Sequence, residues 1–387
     1  MAAHEALERI EAAQAWLGAE LRAHLPPPAT GSTPGCSIVL AEQGIGDTAR
    51  AIALCAALPG PTLLVGHYDG TMAKRDMAHA ACKAGAIAGY IEAPTPGGTR
   101  LSRERLLRVL SYDWTVYLFD AMCVATGSHY SSEGQFQALY NGYPYDTWRL
   151  NYVDMPWWEI ARITTGYGIS PADLVNAVPT ELAPWPKKAE IPPGGSLAEL
   201  KAKSGSGSFL DAEISDSRPY VTIHAGAGGG GPNVKVTPRP ILDAVVVAVE
   251  SKGINVVQVG QSGEQHLKCY AHKFDLRLPV TCKLMRKAVA HIDNDSCLPY
   301  LAHGMGVKSA VFFGPTPFYV YGLPGNLNIP PTGLCPMRSC FGGGQWGPYE
   351  NWWKRCRAGF KECASFPEPK PAAKLVSEWV EGLVCGT

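Results

Sequence analysis

Residues 36–58 read CSIVLAEQGIGDTARAIALCAAL, and this stretch predicts how the first half of the chain folds. Residues 36–41 form a short apolar run that is typical of a buried strand, and residues 49–58 are predicted to form a helix. A glycine-containing turn at 43–48 joins the two. A strand that leads through a tight turn into a helix is the repeating unit of a parallel α/β sheet.

Units of the same kind recur in both halves of the chain. In the first half we expect strands at 62–65, 87–91 and 114–119 and a helix at 72–84. In the second half we expect strands at 220–224, 255–259 and 309–313 and helices at 241–250, 283–290 and 298–305. The alternation predicts an α/β fold with two Rossmann-like domains facing across a cleft, where a nucleotide-bearing ligand would lie.

Three further stretches complete the organisation. Residues 4–24 carry an apolar stripe of helical period, and the prolines at 26–28 end the predicted helix. Residues 183–219 are rich in Pro, Gly and Ser, as a linker between domains would be. The aromatic-rich stretch 128–160 fits either the lining of a binding cleft or an ordinary aromatic core, and the sequence favours neither.

Composition and charge exclude some classes of function. The 387 residues carry equal numbers of basic and acidic side chains, 34 of each, so the formal net charge is 0. A neutral chain without a Lys/Arg block argues against binding to nucleic acid or to an anionic membrane surface. No apolar run reaches transmembrane length. Glu5, Glu8 and Glu11 fall where a signal peptide would be uncharged, and most cysteines are scattered, so we expect a cytoplasmic protein.

Four of the 12 cysteines crowd together near the C-terminus in the spacing C-x4-C-x15-C-x6-C: Cys335, Cys340, Cys356 and Cys363. Two close pairs joined by a loop rich in Gly and Trp suit a four-thiolate metal site, whose ion would supply the folding free energy that the loop lacks. The alternative is four unrelated buried thiols. The crowding favours the metal, and thiolate ligands suit either zinc, which is the default, or iron.

Asp47 lies in the turn Gly44-Ile45-Gly46-Asp47, where the first predicted strand meets the first predicted helix. Glycines in such a turn allow the backbone to approach a ligand closely. Asp47 is then either a general base at the mouth of the cleft or the cap of a helix that begins near Thr48, and the spacing does not distinguish the two. The pattern is not GxGxxG, so a dinucleotide site is poorly supported.

Two segments of the second half suit an anion. Gly226, Gly228 and their neighbours, followed by Lys235, resemble a phosphate cradle made of backbone N–H groups and one ammonium; the alternative is a flexible loop with a solvated lysine. A predicted helix begins after Asp293, Asn294, Asp295 and Ser296, and the free N–H groups at its start favour an anion such as a diphosphate, to which the Ser296 hydroxyl could also donate; the alternative is simple capping.

The order of these motifs resembles that of glycosyltransferase family 9, the bacterial heptosyltransferases of the GT-B fold. The matching segments are GIGD at 44–47, YVTIHAGAG at 220–228, VVQVGQSGEQ at 256–265, HIDNDSCLPYLAHGMGV at 291–307 and VFFGPT at 311–316. The four crowded cysteines look like the iron-binding finger that the autotransporter heptosyltransferases of this family carry after their second Rossmann domain. The resemblance spans residues 36–320 and is stronger in the second half.

The resemblance implies roles for individual residues. Asp47 would be the base that deprotonates the acceptor hydroxyl, Lys235 would meet the diphosphate of the donor, and Glu264 would bond the donor ribose. The other implied donor contacts are Gly226, Gly228, Asp295, Ser296 and the closing turn Gly314, Pro315 and Thr316. Cys297 stands where the family has Gly, Tyr300 stands where it has His, and Lys235 is followed by Val-Thr-Pro instead of Trp-Pro. The first two departures bear on the identity of the donor sugar more than on the reaction type.

The resemblance also implies the activity and its setting. It implies an inverting glycosyltransferase that moves a heptose from ADP-heptose to serines of an autotransporter adhesin, by chemistry that needs no catalytic metal. One structural ion, iron or alternatively zinc, would sit on the four cysteines. A lipopolysaccharide core heptosyltransferase, a nucleotide-sugar epimerase of GT-B fold and a non-catalytic nucleotide-binding scaffold remain as alternatives. We expect a homo-oligomer in the bacterial cytoplasm that binds no nucleic acid.

The expected segments follow from the motifs and the resemblance together. They are an N-terminal helical segment (1–30), a Rossmann-like acceptor domain (31–182), a linker (183–219), a Rossmann-like donor-nucleotide domain (220–330), the metal finger (331–365) and a C-terminal helix (366–387).

Overall fold

The computed structural model describes residues 19–20, 37–41, 44–67, 71–93, 115–120, 123–127, 156–187, 190–191, 196–198, 214, 216–227, 234–332, 363 and 365–386. The chain forms two compact units: Met1–Tyr145 with Trp157–Gly205, and Asp146–Pro156 with Ser206–Thr387. Of the predicted N-terminal helix, only residues 19–20 are described, and both are helical. The boundary between Gly205 and Ser206 falls within the stretch that the sequence suggests as a linker.

The first unit contains a mainly parallel sheet. Its described strands are β1 (Ser37–Ala41), β2 (Thr62–His67), β3 (Gly89–Ala93), β4 (Thr115–Asp120) and β5 (Cys123–Gly127). Their order is β3-β2-β1-β4-β5, and the pair β4–β5 is antiparallel. The described helices are α1 (Ile45–Ala57), α2 (Met72–Lys83), α3 (Trp157–Thr165) and a 3₁₀ helix, Pro171–Ala177. Ile38 and Val39 of β1 are fully buried, as expected for a central strand of an α/β sheet.

Helix α1 begins earlier than the sequence predicts. Gly44 is its N-cap, and Asp47 lies in its first turn. The Gly44 N–H donates to Asp47 Oδ2 at 3.1 Å, and Thr48 Oγ1 donates to Gly44 O at 3.0 Å. These local bonds satisfy polar groups of the first turn and let the helix start directly after the glycine. The prediction of a helix that begins near Thr48 is therefore wrong.

The second unit contains a sheet whose described strands are all parallel. They are β6 (Tyr220–His224), β7 (Asn255–Gly260), β8 (Ala271–Phe274), β9 (His291–Asn294), β10 (Ser309–Phe312) and β11 (Leu327–Ile329). Their order is β11-β10-β9-β6-β7-β8. The described helices are α4 (Arg239–Glu250), α5 (Leu278–Arg286), α6 (Leu298–Gly304), α7 (Phe318–Tyr321) and α8 (Pro369–Cys385).

The core of this unit joins the sheet to α4 and α8, which pack on each other. Val245 and Val249 of α4 and Val376 and Val380 of α8 are fully buried. Burial of each such side chain stabilises the fold by about 1.5–3 kcal/mol. Phe366, just before α8, packs against the backbone that follows β10, where a Cβ at residue 314 would come within 2.6 Å of the ring. The segment that leads into α8 therefore packs on the backbone directly after β10, where the predicted closing turn 314–316 lies.

Several elements of the second unit differ from the prediction. Strands β8, β9 and β11 and helix α7 are additional, and α5 spans Leu278–Arg286 instead of 283–290. Strand β9 contains His291 and Asp293, which are fully buried although they are polar. Hydrophobic periodicity does not identify such a strand.

Within the described ranges, no helix has the length and apolar character that a membrane span requires.

Candidate functional site

In each described sheet, later strands are added first on one side of the first strand and then on its other side. We call the place beside the first strand where this order reverses the reversal point of the sheet. The strands β2 and β4 flank β1, and the strands β7 and β9 flank β6. In open α/β sheets, ligands bind beyond the carboxyl ends of the strands at such a point. Asp47 follows β1, Gly226 and Lys235 follow β6, and Asp295 follows β9. The sequence-predicted residues therefore belong to two reversal points, one in each unit.

Asp47 is fixed by two residues of its own helix region. Its Oδ2 accepts from the Gly44 N–H, and its Oδ1 forms an ion pair with Arg50 Nη2. The side chain of Arg50 is 5% exposed and that of Asp47 is 17% exposed. The guanidinium carbon of Arg50 lies 5.9 Å from the centroid of the Trp157 ring, within cation–π range. Asp47 therefore caps α1 and at the same time keeps part of its carboxylate accessible at the carboxyl end of β1.

The register of β6 and β9 builds a polar ladder on one face of the second sheet. Thr222 pairs with His291 and Ile223 with Ile292, so the parallel register brings His224 beside Asp293. Thr222 Oγ1 lies 3.0 Å from His291 Nδ1, and His291 Nε2 lies 3.1 Å from Asp293 Oδ2. His224 Nδ1 lies 2.9 Å from Asp293 Oδ1. All four polar side chains are buried.

The ladder carries a charged pair. Burial lowers the pKa of His224, but the charge and hydrogen bond of Asp293, together with Glu264, outweigh it and raise that pKa to about 10. Burial raises the pKa of Asp293, but the charge of His224 and the bonds from His224 and His291 bring that pKa below its usual value. At neutral pH His224 is therefore an imidazolium beside a carboxylate, and both of its ring nitrogens donate.

Glu264 reaches back from the loop after β7 to the same point. Its Oε1 lies 3.3 Å from His224 Nε2, and its side chain is 13% exposed. A Cβ on Gly226 would come within 2.1 Å of the Glu264 carboxyl carbon, and a Cβ on Gly260 within 2.2 Å of Glu264 Oε2. The two glycines thus leave the space that this carboxylate fills. Among the described residues, the buried Oε2 atom has no hydrogen-bond partner.

The loop that carries Glu264 is held by buried amides. Gln258 is fully buried; its Nε2 donates to Gln265 O at 2.7 Å, and its Oε1 accepts from the Leu267 N–H at 2.9 Å. Gln265 Nε2 in turn donates to Ala225 O and Thr237 O, both at 3.1 Å. These bonds tie the loop after β7 to the segment after β6, which is why Glu264 returns over Gly226.

Lys235 and Asp295 form an ion pair. Lys235 Nζ lies 2.6 Å from Asp295 Oδ2, and the side chains are 23% and 8% exposed. Ser296 Oγ donates to Asp293 Oδ2 at 2.6 Å and accepts from the Leu298 N–H at 3.3 Å. The N-cap of α6 is Cys297, so Ser296 contributes to the start of that helix from one residue further back. Its hydroxyl hydrogen is directed to Asp293.

Two further polar atoms at this edge of the sheet are buried with no hydrogen-bond partner in the described part of the chain. They are Asn294 Oδ1, at the end of β9, and Thr316 Oγ1, beyond β10. The side-chain amide of Asn294 donates to Gly226 O at 3.0 Å. An unmet buried acceptor costs about 1–3 kcal/mol, so such atoms are typical of positions that bond a ligand.

Of the two residues here that depart from the expected pattern, Tyr300 is buried and Cys297 is partly buried. Burial raises the pKa of the Cys297 thiol to about 12, so the thiol stays protonated at neutral pH. Tyr300 is 4% exposed. Together with Ser296, Asn326 and Asn328 it lines a pocket of about 10 Å³, close to the room that one water molecule needs.

Several predicted site residues lie outside the described residues: Gly228, Cys335, Cys340 and Cys356. Cys363 is described, and it is a buried member of the core of the second unit. Among the residues that the structure describes, no group of three His, Cys, Asp or Glu side chains is arranged to hold a metal.

Two residues that position groups at these two points, Arg50 and His224, have no role in the sequence prediction. Asp293 is predicted only as part of the anion-binding segment 293–296, without its contact to His224. Thr222 and His224 alternate on β6, and His291 and Asp293 alternate on β9. Polar residues at i and i+2 in otherwise apolar segments are the signal that could have identified the ladder.

The fold of this chain is similar to that of solved glycosyltransferase structures. No protein-family model and no curated protein matches this chain. The iron-containing dodecameric glycosyltransferase TibC of enterotoxigenic E. coli H10407 is 13% identical, with a TM-score of 0.52 over 92% of this chain and 76% of TibC. TibC in complex with ADP-D-β-D-heptose is 12% identical, with a TM-score of 0.50 over 91% of this chain and 76% of TibC.

A second protein shows the same likeness. The family 9 glycosyltransferase of Veillonella parvula DSM 2008 is 12% identical, with a TM-score of 0.51 over 93% of this chain and 100% of that protein. At such identities the likeness establishes the fold: this chain has the parallel α/β architecture of these glycosyltransferase structures.

Proposed function

We propose that this protein is an inverting glycosyltransferase that moves a heptose from ADP-heptose to a hydroxyl group. The observation that carries the proposal is the set of polar groups at the reversal point of the second sheet. It combines the ammonium of Lys235 with two buried acceptor atoms, Glu264 Oε2 and Asn294 Oδ1, that have no partner among the described residues. A cation and open acceptors suit a ligand that carries both phosphate and hydroxyl groups. The shared fold adds support, since TibC forms a complex with ADP-D-β-D-heptose.

In this proposal Lys235 meets the diphosphate of the donor. Asp295 already holds the Lys235 ammonium at 2.6 Å, so the cation is positioned before the ligand arrives. Glu264 accepts hydrogen bonds from the ribose hydroxyls through Oε2. The Ser296 hydroxyl is committed to Asp293, so its role is to fix the segment after β9.

The reaction is a single displacement at the anomeric carbon. Asp47 accepts the proton of the acceptor hydroxyl while the oxygen bonds to the anomeric carbon, and the bond from that carbon to the diphosphate oxygen breaks. One displacement inverts the configuration of that carbon. Lys235 balances the charge that develops on the leaving diphosphate. Arg50 and the Gly44 N–H hold the Asp47 carboxylate in one orientation, which is the positioning that a general base needs.

We propose serines of an autotransporter adhesin as the acceptor and the bacterial cytoplasm as the setting. The balanced charge of the chain, 34 basic against 34 acidic residues, favours a protein acceptor over an anionic membrane surface. We also propose a homo-oligomer, in keeping with the dodecameric state of TibC, which shares the fold.

We propose that Cys335, Cys340, Cys356 and Cys363 hold one structural metal ion, iron or alternatively zinc. The Thr332 N–H donates to Ser365 O at 2.9 Å, so the segment that contains the four cysteines begins and ends at one place. Cys335 follows Thr332 by three residues, which span at most about 11 Å, and Cys363 precedes Ser365 by two. This closure favours a single site for the first and last cysteine. Four thiolates would hold either metal and stabilise the loop, while the transfer itself is carried by Asp47 and Lys235.

The proposal is tested by nucleotide release from a panel of ADP-, GDP- and UDP-sugars, with and without serine-rich adhesin fragments. We expect release from ADP-heptose that accelerates with the adhesin fragment, and a heptosylated serine in the product by mass spectrometry. Release from none of the donors, with or without acceptor, would reject a glycosyltransferase. Release with lipopolysaccharide core sugar but not with adhesin would move the acceptor to the glycan.

A further inference from the structure

His224 bridges two carboxylates that come from different parts of the second unit. Its Nδ1 lies 2.9 Å from Asp293 Oδ1 at the end of β9, and its Nε2 lies 3.3 Å from Glu264 Oε1 in the loop after β7. The side chain of His224 is 8% exposed. A buried histidine between two carboxylates is costly to assemble, because each charged group loses its hydration. This cost suggests that the arrangement of His224 between two carboxylates serves the function of the site.

We propose that His224 is a positioning residue of the donor site: it anchors Oε1 of Glu264 so that Oε2 faces the vicinal hydroxyls of the bound nucleotide. The proposal rests on the proposed function, in which those hydroxyls belong to the donor ribose. It adds a residue that acts through Glu264 and does not touch the ligand.

The described contacts of Glu264 support this role. Its carboxylate has one charged partner there, His224, and its Oε2 atom has no hydrogen-bond partner in the described residues. Gly226 and Gly260 lie against the carboxylate and, as glycines, offer it no side-chain donor. Among the described residues, His224 is the cation that pairs with Glu264, and it therefore selects which carboxylate oxygen points toward the ligand.

The other groups that face His224 are consistent with a fixed imidazolium. Ser296 Oγ lies 3.4 Å from Nδ1, and Asp293 is itself held by His291 and by the Asn294 N–H at 2.7 Å. The Cys297 thiol, which stays protonated at neutral pH, lies near the charges of Asp293 and Glu264. The Lys235–Asp295 pair follows the same two strands. Asp293 thus fixes one side of the ring, and the other side is left for Glu264.

The experiment is a double-mutant cycle of His224→Gln and Glu264→Gln, read by calorimetry with two ligands, ADP and 2′,3′-dideoxy-ADP. His303→Gln, a half-buried histidine on α6, is the matched control. We expect each single variant to bind ADP about 10- to 100-fold more weakly, as loss of a charge-assisted hydrogen bond predicts. Binding of the dideoxy ligand should stay as in the wild type, and the double variant should be no weaker than Glu264→Gln alone.

Each outcome decides the proposal. Additive losses, or equal losses for both ligands, would show that His224 is only structural and would overturn it. A wild type that binds neither ligand would reject both the proposed nucleotide donor and this role of His224. That result differs from additive losses, which can be measured only if the wild type binds. Should His224→Gln not fold, the ring of His224 is titrated by NMR in the wild type and in Glu264→Gln. The imidazolium should lose its proton at lower pH in the variant, and an unchanged titration would overturn the proposal.

Discussion

Arg50 pairs with Asp47 from one turn further along helix α1. The pair is local in sequence, yet the Arg50 side chain is only 5% exposed, and its guanidinium carbon lies 5.9 Å from the centroid of the Trp157 ring on α3. The proposed base is therefore held by a buried cation and by the Gly44 N–H, in a helix that starts directly after the glycine turn. The same carboxylate that caps the helix is the one proposed to receive a proton.

Replacing Arg50 by Ala is expected to loosen α1, because it leaves the Asp47 carboxylate without its buried partner. Hydrogen–deuterium exchange of Ile45–Ala57 should become at least about tenfold faster. The matched control is Arg162→Ala, which removes an i,i+3 pair with Glu159 whose side chains are 50% and 35% exposed. Exchange in Trp157–Thr165 should change little, since exposed pairs stabilise weakly. Equal effects in the two helices would contradict a special role for Arg50.

Asp47→Asn is expected to abolish transfer while donor binding survives. The amide keeps the shape of the carboxylate but cannot take the proton, and loss of a general base costs about 10²–10⁴-fold in rate. Asp173→Asn is the control, because Asp173 Oδ2 accepts from the Ser170 N–H at 2.7 Å in the same capping position of the 3₁₀ helix. Transfer by Asp47→Asn at more than about 10% of the wild-type rate would reject the base role.

Gly226→Ala is expected to displace Glu264, because the new Cβ would meet its carboxyl carbon at 2.1 Å. Affinity for ADP should fall by about tenfold or more, as when a hydrogen bond to a charged group is lost. Gly263→Ala, in the loop after β7 that carries Glu264, is the control, since no heavy atom lies within 4 Å of its added Cβ. Wild-type affinity in Gly226→Ala would mean that Glu264 does not contact the nucleotide.

The strands and helices with an apolar, periodic sequence could be predicted, and those built around polar contacts could not. Strand β6 spans Tyr220–His224 as predicted, and its residues are all buried. Strand β9 escapes the sequence pattern because two of its four buried residues are His291 and Asp293. Their burial is compensated by partners on β6 that only the register of the sheet reveals.

At the candidate site, too, the sequence predicted some features and not others. The motifs identified Asp47, Lys235, Glu264 and Asp295 as single residues along the chain. They did not reveal the ion pair of Lys235 with Asp295 or the position of Glu264 over Gly226, because both depend on where the loops return in three dimensions. Sequence alone thus predicts residue types at an edge of a sheet, while their partners follow from the tertiary structure.

Cys363→Ser is expected to remove the metal from the purified protein. Elemental analysis of the wild type should give about one equivalent of iron or zinc per chain, since four thiolates form one tetrahedral site. Cys385→Ser is the control, because Cys385 is exposed and lies at the end of α8. Metal retained by Cys363→Ser, or a wild type with less than about half an equivalent, would return the four cysteines to the class of buried thiols.

The proposed donor site is tested most directly by calorimetry of ADP and adenosine with the wild type and with Lys235→Ala. We expect the wild type to bind ADP at least about tenfold more tightly than adenosine, because a charge-assisted contact to the diphosphate adds affinity. Lys235→Ala should lose most of that preference and keep its affinity for adenosine, while Lys283→Ala, an exposed lysine of α5, should behave as the wild type. A wild type that binds none of ADP, GDP and UDP would reject a nucleotide diphosphate donor, and a Lys235→Ala variant that keeps the full preference for ADP would show that Lys235 does not contact the diphosphate.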